Sequence, residues 1–408
     1  MRALFLTSSP PPVPGRDVEG YYKRLGLLMG AVGQFAGAVD VVHIVPDSTA
    51  RLHPDPGALS ADQSRHWGFP VRTTLLTTQE REKTFLNYYV RGMVSAVEQP
   101  AFQGALGREG AGQLAAILDR GYGLVFVHRL AAMCALLRTG QNPRVVFDLD
   151  DVEHQMKLRR LLQPPMEPGK LLSLSHIPAL VAAEWRGAAR ARLTFVCSDV
   201  DRRKLRRLGF SRGVTVVPNA VDIPHDAADF PGEPTLMYIG DFGYPPNREA
   251  AERLAQRILP LVREAVPDAR LLLAGKHADQ LDPAAAARPG VERLGFVPSL
   301  AELYGRVRVV CCPLLNGGGT RLKLIEGAAY GKPMVSTRVG AEGLSFADGT
   351  EILLRDDDAG FADACVRLIR DDALCRSLGA AARVKAVAEY RIDRIQEQVV
   401  RLLRQAAA

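Results

Sequence analysis

With 408 residues, 47% of them apolar and 24% charged, the chain has the composition of a soluble globular protein and the length of two ordinary domains. No apolar run approaches the roughly 18 residues of a membrane span, and the start "MRALFLTSSPPPVP" holds too few apolar residues before its prolines for a secretory signal, so a cytoplasmic location is expected. The net charge of +7 is uneven: residues 1–218 carry 28 Lys and Arg against 19 Asp and Glu, a net +9, and the remainder carries −2.

Short apolar runs alternate with amphipathic stretches from the start. "ALFLT" (3–7), "VDVVHIV" (39–45), "GLVFVH" (123–128), "RVVFDL" (144–149) and "RLTFVCS" (192–198) read as strands, with a helix over "GYYKRLGLLMGAVGQFA" (20–36) among the elements between them. Near-continuous apolar strands separated by helices indicate parallel sheets covered on both faces. "DRRKLRRLGF" (201–210) is the densest basic run, either a solvated helix face or a surface for an acidic partner such as a lipid. After the strand in "VTVVPNAVDI" (214–223), the stretch "PHDAADFPGEP" reads as a linker. The alternation then restarts with 235–240, 270–275, 291–297, 309–315 and 333–337 as strands, a helix over 247–265, and a nearly all-helical end from 360.

The expected architecture is therefore α/β with two doubly wound, Rossmann-like domains, 1–218 and 219–385, and a helical tail, 386–408, that crosses back to the first domain. In such sheets ligands bind beyond the carboxyl ends of the strands, which directs attention to a cleft between the domains. The six cysteines lack zinc-site spacing and read as reduced core residues.

One loop stands out. "NGGGTRLKLIEGAAYGKPMVST" (316–337) places Gly317, Gly318 and Gly319 directly after a strand. Thr320 is the expected N-cap of a helix over 321–330, and Gly331 is its C-terminal stop. Glycines let a ligand approach the main chain, and exposed N–H groups backed by a helix N-terminus form an anion site. Arg321 and Lys323 sit where the helix dipole is already positive, an arrangement that suits a bound phosphate. Glu326, one turn on, is placed to accept hydrogen bonds from a pair of sugar hydroxyls.

From "MYIGDFGYPPNREAAERLAQRILPLV" through "ARLLLAGKHA" and "VERLGFVPSLAELY" to "VVCCPLLNGGGTRLKLIEGAAYGKPMVSTRVGAEGL", about 150 residues resemble the retaining glycosyltransferases of family 4, the "group 1" enzymes with the GT-B fold. The resemblance implies transfer of a sugar from a nucleoside diphosphate sugar to an acceptor hydroxyl, with retention and without a metal or cofactor. The acceptor would be a glycan, a lipid-linked group or a small molecule, in surface polysaccharide or glycolipid synthesis. The family motif has two glutamates separated by seven residues. Glu326 matches the second, implying a ribose contact, while Gly318 occupies the place of the first. An Arg and a Lys that often follow the first strand of the second domain are replaced by Asp241 and Asn247. Arg321 and Lys323 therefore become the leading diphosphate cations, with Arg248 as a substitute. Asn247, Val297 and Leu322 complete the substrate-binding candidates on this side.

In the first half, Gly15 and Arg16 occupy the loop that the family brings near the diphosphate or acceptor, and the proline-rich loop is equally compatible with an inert turn. His128, after a strand, is either a base on the acceptor side or structural. Asp148-Leu149-Asp150 is formally a metal-binding Asp-x-Asp. Capping of the following helix is preferred, because an anion site for the donor already exists elsewhere. Asp150 or Asp151 takes the neighbourhood of the family's sugar-contacting histidine. Competing readings are a nucleotide-sugar epimerase of the same shape and a non-catalytic basic protein binding nucleic acid or acidic lipid. Nucleic acid ranks last for lack of an aromatic-interleaved basic motif. Peripheral membrane contact through the basic first domain stays open.

Overall fold

A computed structural model describes residues 1–12, 20–78, 84, 90, 93, 106–162, 167–210, 213–228 and 230–408. Gly15 and Arg16, most of 84–93 and residues 163–166 lie outside the described residues. The chain divides into two compact units, Met1–Pro218 with Asp393–Ala408, and Asn219–Ile392.

The first unit is built on seven parallel strands: β1 (Ala3–Thr7), β2 (Val39–Pro46), β3 (Val71–Thr78), β4 (Leu124–His128), β5 (Val145–Asp148), β6 (Leu193–Val196) and β7 (Val214–Val216), in the order β3-β2-β1-β4-β5-β6-β7. The central strands β1, β4 and β5 are buried along their whole length, as their unbroken apolar sequences require. Phe5 and Phe126 stack at 5.1 Å between ring centroids, and Phe147 and Phe195 are equally buried. Each such ring contributes about 1.5–3 kcal/mol through burial. The final helix, Ile392–Ala407, belongs to this unit. Its Gln398 Nε2 donates to the Val216 carbonyl at 3.0 Å and its Gln396 Nε2 to the Leu27 carbonyl at 3.4 Å.

The second unit carries six parallel strands: β8 (Thr235–Ile239), β9 (Arg270–Ala274), β10 (Val291–Gly295), β11 (Val309–Cys312), β12 (Met334–Ser336) and β13 (Leu353–Leu354), in the order β10-β9-β8-β11-β12-β13. In both sheets the order reverses once, between β1 and β4 and between β8 and β11. Those reversals place the natural ligand crevices at the carboxyl ends of these strands. The loops after β8 and β9 cross so closely that a Cβ on Gly275, at φ +135°, would lie 1.7 Å from the Gly240 carbonyl oxygen. Only glycine fits there.

Three expectations change. Strands β3 and β13 were not read from the sequence: β3 mixes threonine with leucine, and β13 has two residues. The stretch 224–234 is no free linker. Arg383 Nη2 donates to the carbonyls of Pro224 (2.7 Å) and His225 (2.9 Å), and the Ala228 N–H donates to the Tyr330 carbonyl (3.0 Å), which docks the segment on the second unit. The glycine-loop helix starts one residue later than expected and spans Leu322–Ala329. All six cysteines are buried and free, as expected.

Candidate functional site

In the second unit, the crevice at the sheet reversal is built from the loop after β8 and the loop after β11. The second of these is Asn316–Arg321. Gly317 and Gly319 take φ of +107° and +69°, the left-handed region that glycine enters without strain. The N–H groups of Gly318 and Gly319 donate to no protein acceptor among the described residues, and the helix Leu322–Ala329 begins directly after them, its Leu324 N–H donating to the carbonyl of the cap residue Arg321 at 3.0 Å. The loop is anchored at its start by Asn316 Nδ2, which donates to Glu249 Oε2 at 2.6 Å.

Thr320 does not cap the helix. Arg321 holds the cap position with φ −86° and ψ 96° and makes no side-chain cap, while Thr320 Oγ1 accepts from Asn219 Nδ2 at 2.7 Å. The threonine therefore ties the loop to residue 219. Arg321 folds over its own loop: Nη1 donates to the carbonyls of Gly318 and Gly319 (2.7 Å to the latter), and Nη2 to that of Asn316 at 3.5 Å. By engaging carbonyls it turns the loop's amides the other way, and its buried Nε has no partner among the described residues. Gly331 at φ +72° ends the helix, its N–H donating to the Ala328 carbonyl at 2.9 Å.

Lys323 lies across the end of β8. Its Nζ sits 3.8 Å from the centroid of the Tyr238 ring and donates to Asn247 Oδ1 at 3.1 Å. The same Asn247 oxygen accepts from the Tyr238 hydroxyl at 2.8 Å, and Asn247 Nδ2 donates to the Asp241 carbonyl at 3.0 Å. A Cβ on Gly240 would lie 3.0 Å from both Lys323 Nζ and Asn247 Nδ2, so glycine leaves the space that this group occupies. Burial lowers the Lys323 pKa to about 7. Cys312 opposes that shift and Arg321 adds to it. No carboxylate pairs with the ammonium in these contacts, so an arriving anion would find a desolvated cation.

Asp241 is not a phosphate-facing residue either: its Oδ1 meets His277 Nδ1 at 2.7 Å and accepts from the Gly243 N–H at 2.9 Å. Arg248 Nη1 lies 3.5 Å from Gln280 Oε1 on the flank of the loop. Glu326 is 7% exposed, one turn inside the helix, and Leu322 and Val297 are half-buried against the second core.

In the first unit the corresponding edge, beyond β4 and β5, is an ionic cluster. Arg24, the one arginine on a mostly apolar helix (Gly20–Ala36), is 2% exposed. It grips Asp148 with two nitrogens (Nε to Oδ2 3.0 Å), approaches Asp150 Oδ1 at 3.3 Å and donates to the Val217 carbonyl at 3.1 Å. Arg129 reaches Asp150 Oδ2 at 3.2 Å with Nη2 and keeps 34% of its side chain exposed, against 13% for Asp150. Both Arg129 (φ +77°) and Asp150 (φ +51°) adopt left-handed backbone, which is uncommon for residues with a side chain and recurs at functional sites. Burial works against the Asp150 charge, but Arg129 and Arg24 outweigh it and hold the carboxyl below its ordinary range.

Two expectations are corrected here. Asp150 does not cap the helix Glu153–Leu161, whose cap residue is Val152; arginines take up both carboxylates of Asp148-Leu149-Asp150. That neutralised pair does not present the bare negative charge that a divalent cation needs. His128 is fully buried, its Nδ1 2.9 Å from Thr7 Oγ1, and burial with Arg129 beside it lowers its pKa to about 3. It is neutral, faces no solvent, and holds β1 to β4 rather than presenting a base. Sequence reading also missed Glu153, whose carboxyl is pushed up to about 8 by burial and by Asp151 and Glu184.

Residues 233–371 match the family model described as Glycosyl transferases group 1. That segment spans β8 to the helix after β13 and includes the whole glycine-loop crevice. The chain is 28% identical over 219 residues to a phosphatidyl-myo-inositol mannosyltransferase of Mycobacterium leprae, covering 50% of this chain and 57% of that protein. It is 28% identical over 173 residues to an N-acetyl-alpha-D-glucosaminyl L-malate synthase of Bacillus anthracis, covering 41% and 44%. The chain thus spans about half the length of the curated relatives it matches. Among solved structures, sucrose-phosphate synthase of Thermosynechococcus elongatus superposes with a TM-score of 0.70 at 19% identity, over 99% of this chain and 98% of that one. Anabaena HepE in complex with UDP gives 0.66 at 14%, over 99% and 100%. The fold is GT-B.

Proposed function

We propose that the protein transfers a sugar from a nucleoside diphosphate sugar to an acceptor hydroxyl, with retention of configuration and without a metal, in the assembly of a surface polysaccharide or glycolipid. The observation that carries this reading is the crevice after β8 and β11, where amides of Gly318 and Gly319 that donate to no acceptor among the described residues, a helix N-terminus and the Lys323 ammonium, held by neutral groups, converge. It lies inside the matched segment 233–371.

The chemistry follows from charge. As the bond from the anomeric carbon to the phosphate oxygen breaks, negative charge grows on the diphosphate, and fixed donors aimed there lower the barrier most. The bond to the acceptor oxygen forms on the same face, and the acceptor's proton passes to the departing phosphate oxygen. Lys323 and the loop amides are assigned to the diphosphate, with Arg321 holding the loop in place. Glu326 is assigned to the ribose. In the first unit, Asp150 and Arg129 are assigned to the sugar and acceptor side. UDP is the nucleotide named in the Anabaena HepE complex, which puts UDP-sugars first among donors. No helix among the described residues is long and apolar enough to cross a membrane. The helix Asp199–Arg207 exposes Arg203, Arg206 and Arg207, and a peripheral contact with anionic lipid is assigned to it.

A thermal-shift panel of UDP-, GDP-, ADP- and TDP-sugars tests the donor, because binding stabilises with the logarithm of ligand over Kd. The selected donor is then incubated with candidate acceptors, with and without a chelator, and the product anomer is assigned by NMR. Inversion, or complete loss of transfer with the chelator and its return with manganese, would overturn the mechanism. Epimerised or hydrolysed donor without an acceptor would favour an epimerase.

A further inference from the structure

Resting on the donor reading above, we infer that Tyr238 and Asn247 are positioning residues that hold Lys323 as the diphosphate cation, in the space left by Gly240. Three contacts define the geometry. The Tyr238 ring lies under the ammonium at 3.8 Å, the Tyr238 hydroxyl fixes Asn247 Oδ1 at 2.8 Å, and that oxygen holds Lys323 Nζ at 3.1 Å. Asn247 is itself pinned by its Nδ2 on the Asp241 carbonyl, which fixes the amide orientation and leaves the oxygen for the lysine. A side chain at 240 would fill the same volume, since its Cβ would stand 3.0 Å from Nζ. The device uses only neutral partners. An aromatic face and an amide oxygen orient an ammonium without neutralising it, so the charge stays available to an anion.

The charged and titratable groups around Lys323 are Cys312 on β11, Arg321 on its own loop, Tyr238 on β8 and, beyond Asn247, the Asp241–His277 pair. None supplies a carboxylate to the ammonium, in keeping with its pKa near 7. A donor diphosphate would raise that pKa, so binding takes up a proton above about pH 7, and affinity falls as pH rises through that value. The two holders favour the charged form, so removing either should move the fall in affinity to lower pH.

The test is calorimetric donor affinity from about pH 6 to 9, without acceptor, using UDP-glucose, GDP-mannose, ADP-glucose and TDP-glucose. Their diphosphates are diesters and keep their charge over this range. Wild-type protein is expected to bind one of them with an affinity that drops above pH 7. Tyr238→Phe, which keeps the ring and removes the hydroxyl, and Asn247→Ala are expected to weaken binding about fivefold, the size of one net hydrogen bond. Both should move the fall in affinity to lower pH. Uniform weakening with the wild-type profile retained would mean a merely structural role and overturn the inference. So would wild-type affinity in both variants, while loss of binding in Lys323→Ala would still uphold the donor site. Absence of donor binding in the wild type would overturn the donor reading, and this inference with it.

Discussion

Replacing Lys323 by methionine should make the ligand-free protein more stable while removing donor binding. The ammonium is desolvated against Tyr238 and Asn247, and its pKa falls from 10.5 to about 7. At about 1.4 kcal/mol per pH unit, that descent sets a ceiling on the order of 5 kcal/mol on the unfavourable free energy of keeping this lysine charged. Lys323 is only half-buried, and methionine forgoes a cation–π contact of about 1 kcal/mol, so a net gain of about 1–2 kcal/mol is expected near pH 6. In a unit of this size the gain appears as a rise in Tm of about 2–4 °C per kcal/mol. The sign with pH is fixed by linkage. Between about pH 7 and 10.5 the unfolded chain holds a proton on this lysine that the folded chain has released, so wild-type stability climbs relative to the variant over that interval. Melting curves of both proteins at pH 6 and pH 9 check this. A difference in Tm that stays constant with pH, or a methionine variant that is less stable at pH 6, would refute the desolvated-cation account.

Arg321→Ala frees the carbonyls of Asn316, Gly318 and Gly319 and lets the loop turn, so donor affinity should fall between about tenfold and a hundredfold, the range for hydrogen bonds to a charged group. Calorimetry reads this, and unchanged affinity would remove the loop from the site. Arg24→Met leaves Asp148 buried without its partner, and the first unit should lose about 3–5 kcal/mol in denaturant melts; a loss below about 1 kcal/mol would show that the pair is replaceable. Asn247→Lys should place a second ammonium beside Lys323 and weaken donor binding, and adding Lys323→Asn should restore part of it. Tighter binding in the single variant would contradict the shared position of the two side chains.

Both parallel sheets are legible in the sequence because their central strands are unbroken apolar runs: "ALFLT" and "LVFVH" have no polar face to disguise them. β3 escapes because "VRTTLLTT" is neither alternating nor wholly apolar, and β13 because two residues carry no period. The glycine loop is legible as a special turn between a strand and a helix, and Gly317 and Gly319 do take the positive φ that glycine allows. What each flanking residue does there is not legible. Thr320 carries the sequence signature of a cap, yet its hydroxyl is claimed by Asn219, 101 positions away in sequence. His128 and Asp150 follow strands, as ligand-contacting residues do. Only the fold reveals that one is buried against Thr7 and the other is shared by two arginines, one of them brought from residue 24. Arg24 did leave a mark, a cation beside Lys23 in the apolar "GYYKRLGLLMG", but its partner lies 124 residues on.

The departure after β8 from the pattern of the family that the sequence resembles is internally consistent once Lys323 is placed. A lysine at 247 would stand within about hydrogen-bonding distance of the Lys323 ammonium, and two uncompensated cations that close repel strongly away from bulk water. An asparagine there accepts from Lys323 instead, and Tyr238 supplies the hydroxyl that keeps the amide turned the right way. Asp241, at the other changed position, is taken up by His277 and the Gly243 N–H, so its charge is spent on the turn and not on the crevice. The two replacements and the lysine on the following helix therefore form one arrangement, in which the cation reaches the end of β8 from the far side. Its charge is retained by neutral holders, which favour an anionic ligand over any internal ion pair.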